Sequence, residues 1–497
     1  MNKRKIAGCI LASIQFVVSV LFIFFAVSTK VIPMKYVLIA GIILGVLPIL
    51  IVLMQIRKAS GIIGICLSVI VIAGLGYGIY MVRHTDKKLD EMTGKTTEIT
   101  VVNVYVKKDD PAASINDAVT NNYPFGILKE GERDKVNEAI AEIEKDLNTT
   151  IDTREYGSIF DIAKALDDGE IKATIVNSGF MSALDGSEEY PDYSQGLRII
   201  LEKQIETEVT VDPEKEKEKA TEKPKEAGCF VAYISGIDTE GPVSVKARSD
   251  VNILAVVNRN TRQLLLLSTP RDYWVPLTVS GDQRDKLTHA GIYGIEASMG
   301  TLEMLYNVSV DYYLRLNFTG FVNIIDALGG VDVDSQYDFS TAMWPNTYSY
   351  HKGINHLGGA AALAFARERY SFRDGDFQRG RNQMAVIKAV ISALESSQLL
   401  KNYTAVLDEL ANSFETNMTK EEIGVLVQEQ LETDKSWTVL TYSATGTAAM
   451  RPCYSSGGGE RSVVLENEAS VEYANSLIDK VLSGTVMTQD EVTSNAP

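Results

Sequence analysis

Hydrophobic positions are spread unevenly along the chain. Three apolar runs open it, Ile6 to Val27, Tyr36 to Met54 and Ile62 to Met81. Each has about the 20 residues a helix needs to cross a hydrocarbon core. Lys3, Arg4 and Lys5 precede the first run, and Arg57 and Lys58 lie between the second and third. Basic residues at the N-terminus predict a cytoplasmic start, so three crossings put everything after about Arg83 outside the cell. A cleaved signal peptide fits the first run poorly, because two more spans follow it.

From Glu98 the pattern changes. Ile99, Val101, Val104 and Val106 fall among polar residues as in a strand. Val136, Ile140, Ile143 and Leu147 share one helical face. A short helix near Ile159–Leu166 and strand-like runs at Ile171–Val176 and Leu197–Leu201 complete a small α/β domain over 98–211. It shows no catalytic constellation and reads as a spacer or interaction module. Residues 212–227 are Lys and Glu with two prolines, a solvated linker.

A second α/β domain is expected over 228–484. Strand patterns at Phe230–Ile234, Val251–Val257 and Leu264–Leu267 alternate with helical patterns at Ile292–Tyr306, Phe318–Leu328 and Arg379–Leu394. Further elements at Thr419–Leu431, Val439–Tyr442 and Val471–Leu482 are expected to close this same domain, and 485–497 to be a disordered tail. Strands alternating with helices imply a central sheet flanked by helices, with ligands at strand ends.

Composition narrows the function. A net charge of −17 argues against a nucleic-acid binder. Four cysteines and four histidines argue against a disulfide scaffold or a His-rich metal site. Cys9 and Cys66 sit in the spans as packing residues; Cys229 and Cys453 lie beyond them, either as a disulfide or as two buried thiols. No phosphate-binding Gly-x-x-x-x-Gly-Lys loop and no Gly-x-Ser-x-Gly elbow occurs. His289, alone after Lys286-Leu287-Thr288, reads as structural rather than as a base.

The charged residues of the second domain gather at strand ends and helix starts. Asp238 follows the first strand, Arg248 and Asp250 precede the second, and Arg271 and Asp272 end the third. Arg367 and Arg369 point to one side if their segment is extended. Asp376, Arg379, Arg381 and Gln383 open the long helix, where Arg379 and Gln383 share a face and Arg381 does not. Arginines that converge repel one another unless an anion sits among them, and a diphosphate satisfies several forks at once. Asp238 and Asp250 offer hard oxygen ligands for Mg²⁺.

These residues also carry a resemblance. Arg248-Ser249-Asp250, Ser268 to Asp272, Asp285 to Ala290, Asp326 to Val331, Ala366 to Arg369 and Gly375 to Gln383 together resemble the LytR–CpsA–Psr family of cell-envelope proteins. With three spans and an accessory domain, the chain looks most like the family's capsule-associated CpsA branch. Thr269 stands where the family often has Ile, and Leu287-Thr288 where it often has Ile-Asn, which leaves the charged set intact.

The resemblance implies a multi-pass membrane phosphotransferase. It would move a glycopolymer, here capsular polysaccharide, from undecaprenyl pyrophosphate onto a peptidoglycan sugar hydroxyl, with a pyrophosphatase side activity. By the same resemblance Asp238 and Asp250 hold Mg²⁺, and Arg248, Arg271, Arg367, Arg369, Arg379 and Gln383 grip the pyrophosphate. Arg248, Arg271 and Asp376 carry the catalysis, with Asp376 orienting an arginine or acting as base. Partners implied are the lipid-linked polymer, peptidoglycan, the membrane and capsule assembly proteins. An apolar tunnel for the prenyl tail is implied as well, with Ile324, Ile325, Ile387 and Ile391 as candidates that read equally as ordinary core. Two alternatives are a non-enzymatic polyprenyl-pyrophosphate-binding scaffold and a membrane-bound transcriptional attenuator. The short cytoplasmic segments leave no room for a helix-turn-helix, which weighs against the latter.

Overall fold

The computed structural model describes residues 3–93, 97–208, 227–237, 242–342, 347–395, 397–433 and 435–497. The expected linker at 212–227 lies almost wholly outside the described residues, as does Asp238. The chain forms two compact units, residues 1–94 with 403–412 and 417–436, and residues 95–402 with 413–416 and 437–497.

In the first unit, helices α1 (Lys3–Ser28), α2 (Met34–Met54) and α3 (Lys58–Thr93) are long and apolar enough to cross a membrane. Their outer faces expose Ile39, Ile42, Ile43, Ile63 and Ile70, as lipid-facing helices do. Inside, Ser68 donates to Gln15 Oε1 at 2.7 Å, which matches the hydroxyl with the amide oxygen in an apolar bundle. The Arg4 guanidinium donates to the carbonyls of Gln55 and Arg57 at the α2–α3 turn, both at 2.9 Å. The membrane region was expected to end at residue 83, but α3 runs on to Thr93 as a charged helix.

That extension meets residues expected in the second α/β domain. A helix over Ser397–Ser413 is kinked at Asn402. Beyond the kink, Asp408 pairs with His84 at 3.1 Å and with Lys88 at 3.3 Å. The helix Lys420–Glu432 places Lys420 against Asp86 and Asp90. Residues 403–412 and 417–436 therefore belong with the membrane helices. The element expected at Thr419–Leu431 is a helix, but it does not close the second α/β domain.

The second unit holds both α/β parts. The first is a five-stranded sheet of β1 (Thr97–Lys107), β2 (Phe125–Leu128), β3 (Thr153–Tyr156), β4 (Ala173–Asn177) and β5 (Leu197–Glu208), in the order β3-β2-β4-β1-β5. Helices α4 (Ile115–Thr120), α5 (Arg133–Leu147), α6 (Ile159–Asp167) and α7 (Ser178–Asp185) accompany it. Val136 and Ile143 are buried, and Ile140 and Leu147 are half-buried against the same core, the face that periodicity predicts.

The second part is a six-stranded sheet. Its strands are β6 (Cys229–Ile237), β7 (Ser249–Asn258), β8 (Gln263–Ser268), β9 (Tyr312–Asn317), β10 (Phe414–Thr416) and β11 (Thr438–Ser443), in the order β10-β9-β6-β7-β8-β11. Side chains alternate between its faces, as the two-residue period of a strand requires. Val231, Tyr233, Leu254, Val256, Leu265 and Leu267 pack towards α8 (Ile295–Tyr306) and the helix Glu468–Leu482. Ala232, Ile253, Ala255 and Leu266 meet Met384 of the helix Gly375–Glu395 on the other face, where Ile234, Val251 and Ile387 are only half-buried. The expected disordered tail is instead ordered: Gln489–Ser494 is helical, with Met487 and Val492 buried in the main core.

The two α/β parts are joined by more than a linker. Ile99 of β1 makes a parallel bridge to Val245. Arg315 of β9, 2% exposed, lies between Glu98 at 2.5 Å and Glu415 at 3.0 Å. Such a buried cation is tolerated only because both partners hold it.

Candidate functional site

At one end of the six-stranded sheet, strands β6, β8 and β9 finish and the antiparallel β7 begins. This end opens into a cavity of about 610 Å³. Seven of the polar and charged residues singled out in the sequence line it: Arg248, Asp250, Arg271, Arg367, Arg369, Arg379 and Gln383. The elements explain the convergence. Arg248 and Asp250 lie at the entry to β7, and Arg271 follows β8 after Pro270. Helix α9 (Phe318–Leu328) follows β9, and α10 (Gly359–Arg367) ends on Arg367, with Arg369 in the loop beyond. Helix α11 (Gly375–Glu395) presents Arg379 and Gln383 on one face, as their four-residue spacing requires. Gly380 lets its first turns pack against Ser268, because a Cβ there would lie 2.7 Å from the Ser268 hydroxyl. Arg367 closes a helix rather than sitting in an extended segment, yet it and Arg369 still reach the same cavity.

The charges are strongly coupled. Arg271 donates to Asp250 Oδ1 at 2.9 Å and lies 3.7 Å from Asp272, which Lys286 meets at 3.2 Å. Burial opposes the Asp250 charge, but Arg271, then Arg248 and Arg379, hold its carboxyl well below the usual range. Asp272 is held low against burial in the same way, by Arg271, Lys286 and Arg379. Arg271 is raised by Asp250, with burial opposing. Arg379 moves the other way: burial first, then Arg271, lowers it despite Asp376, Asp250 and Asp272. A guanidinium disfavoured by burial and by a second guanidinium would gain from an anion in the cavity.

Asp376 does not line the cavity. It lies 3.1 Å from Arg379 and 3.6 Å from Arg369, where it orients two arginines that do. Arg367 stacks over the Phe318 ring at 4.1 Å, and Arg369 donates to the Tyr370 hydroxyl at 2.6 Å. Arg381 turns away to Asp374 and Gln378, as its helical position foretells. His289 is structural. Its Nδ1 lies 2.8 Å from buried Asp285, which also accepts from the Ser455 amide at 2.8 Å. No disulfide joins Cys229 to Cys453.

The rest of the wall is apolar. Ile234, Val251, Leu316, Phe318, Phe321, Leu363 and Ile387 line it between sheet and helices. Of the four isoleucines considered from sequence, Ile387 alone takes part, and Ile324 and Ile325 are buried core. Phe318, Phe321 and Leu363 carry no signal in the sequence, because an apolar helical face reads the same against a core as against a lumen. Asp185, Gly186 and Asp192 also line the cavity, and they come from the smaller α/β part.

A metal has a partial donor set here. Among the described residues no cluster of three or more His, Cys, Asp or Glu side chains is placed to hold one. Asp250 brings a carboxylate to the cavity wall, and Asp185, Asp192 and Glu368 also line it. That suits Mg²⁺, which takes one or two carboxylates and fills its remaining positions with water and substrate phosphates.

The cavity is thus cationic at one part of its wall and apolar at another. The model of the LytR_cpsA_psr family matches residues 199–467, and the chain belongs to that family. It is 35% identical over 189 residues to the polyisoprenyl-teichoic acid–peptidoglycan teichoic acid transferase TagU of Bacillus cereus, covering 38% of this chain and 60% of that one. It is 32% identical over 193 residues to the Enterococcus faecalis protein of the same name, covering 38% and 62%. The chain thus spans about three fifths of these relatives' length. Among solved structures, that of B. subtilis TagV is similar at 26% identity and a TM-score of 0.43, over 52% of this chain and 98% of that one.

Proposed function

We propose that this protein transfers a glycopolymer from a polyprenyl pyrophosphate carrier to a peptidoglycan sugar hydroxyl. The observation that carries the reading is the single cavity in which Arg248, Arg271, Arg367, Arg369 and Arg379 face the same space as Phe318, Phe321, Leu363 and Ile387. The arginines bind the diphosphate and the apolar wall takes the prenyl chain. The names of its relatives, which join a polyisoprenyl-linked polymer to peptidoglycan, support the same reading. The polymer we favour is capsular polysaccharide, from the resemblance to the capsule-associated branch.

In the reaction the acceptor hydroxyl attacks the sugar-proximal phosphorus in line. A new P–O bond forms as the bridging P–O bond breaks, polyprenyl phosphate leaves with the electron pair, and the hydroxyl proton passes to the leaving phosphate. Arg271 and Arg379 stabilise charge on the leaving phosphate, and Asp376 keeps Arg369 and Arg379 aimed at it. Asp250, with Asp238, would hold Mg²⁺, which when bound neutralises phosphate charge. The helices α1 to α3 anchor the chain, with the N-terminus cytoplasmic and the cavity outside.

The test combines the purified full-length protein with a polyprenyl-pyrophosphoryl glycan, peptidoglycan fragments and Mg²⁺, followed by mass analysis. A phosphodiester-linked glycan–peptidoglycan product is expected. Tight binding of the lipid without product would make the protein a carrier scaffold instead. A topology reporter fused after Pro497 tests the orientation, and activity on the cytoplasmic side would overturn it.

A further inference from the structure

Gly186 follows α7 in the smaller α/β part, yet it lines the cavity beside Arg248 of the larger one. Its backbone, at φ −79° and ψ 2°, suits any residue, so no turn requires glycine there. What forbids a side chain is Arg248: a Cβ on Gly186 would fall inside the van der Waals envelope of its Nη1. Nothing else lies that close, the next atom being the Arg248 carbon Cζ at 3.5 Å.

The seat is rigid. Phe180, Met181 and Leu184 of α7 are buried in one cluster with Ile292 of the larger part, and the Phe180 ring meets Tyr293 edge-on at 5.9 Å. The Glu98–Arg315–Glu415 network ties β1 to β9 and β10. Lys246, two residues before Arg248, pairs with Glu132 of the smaller part at 2.5 Å and is 6% exposed. The bare backbone of Gly186 is thus held against a guanidinium of the anion site by a buried interface.

We propose that the smaller α/β part is a working part of the diphosphate site, with Gly186 as a positioning residue that sets the reach of Arg248. This rests on the reading of the cavity as a pyrophosphate site. It goes beyond that reading by assigning a role to a part whose sequence shows no catalytic constellation. Because the clash is with the far end of a flexible side chain, a larger residue displaces the guanidinium and spares the fold.

The experiment measures binding of geranylgeranyl pyrophosphate to the full-length protein in detergent, by calorimetry. Gly186→Ala and Gly186→Val are expected to weaken binding about tenfold, the loss of one charge-assisted contact. Their melting temperatures should match wild type. Gly196→Ala is the control, since Gly196 has no atom within 4 Å of its Cβ position. In an Arg248→Ala background, Gly186→Val should add nothing. Wild-type affinity in both Gly186 variants, while Arg271→Ala loses affinity, would overturn the inference and leave the cavity reading standing. Wild-type affinity in Arg271→Ala too would overturn the reading itself. An undiminished Gly186→Val effect without Arg248 would show that glycine acts by another route, and would equally overturn the inference.

Discussion

Arg315 Nη1 lies 2.5 Å from Glu98 Oε1, and its Nη2 lies 3.0 Å from Glu415, so one buried guanidinium ties two sheets together. Removing one partner of a buried ion pair costs about 3–5 kcal/mol, because the other is left uncompensated. Glu98→Ala is expected near about 3 kcal/mol, since Glu415 remains. Chemical denaturation of the full-length protein checks this. A change below about 1 kcal/mol would mean that the interface does not depend on the pair.

Arg271 and Arg381 separate cavity residues from their neighbours. Arg271 lines the cavity, whereas Arg381 is held by Asp374 and Gln378. Arg271→Ala should cut prenyl pyrophosphate affinity by roughly ten- to a hundredfold, the worth of a charge-assisted bond. Arg381→Ala should change it by less than about threefold. Equal losses would remove the geometric basis of the assignment.

The apolar wall predicts chain-length dependence. Leu363 lines the cavity with Phe318 and Phe321. Leu363→Trp fills that space, so affinity for geranylgeranyl pyrophosphate should fall while that for isopentenyl pyrophosphate stays near wild type. Parallel losses for both ligands would place the chain elsewhere.

Burial pushes the Cys453 thiol up to about 12, from a reference of 9.0. Below about 9 the thiol is neutral in both the folded and the unfolded chain, and this contribution to stability is fully present. Between about 9 and 12 only the unfolded chain ionises, so stability falls as pH rises. Denaturation midpoints at pH 8 and 10.5 should therefore converge in Cys453→Ala relative to wild type. Native protein at pH 8 should also resist thiol-labelling reagents at this position.

Much of the site was legible because charge at strand ends and helix starts has a topological meaning. Arg248, Asp250, Arg271, Arg379 and Gln383 were found that way, and Arg381 was set apart by helical phase alone. Asp185, Gly186 and Asp192 were not legible, because they arrive from another sheet and no local pattern announces a long-range wall. Arg315 was missed because an arginine within a strand ordinarily reads as surface. The residues after Asn402 were misplaced for a related reason: periodicity reports that a helix has an apolar face, not what covers it.

The last helix, Gln489–Ser494, has one practical corollary. Gln489 holds both backbone groups of Thr441 on the sheet's outer strand, at 2.8 and 3.0 Å, and Val492 fills the core beneath. A shortened expression clone ending near Ser483 would strip a plug from that strand, exposing an adhesive edge during folding. Fusion partners belong after Pro497, and poor yield from shorter clones would be a defect of the cut rather than of the fold.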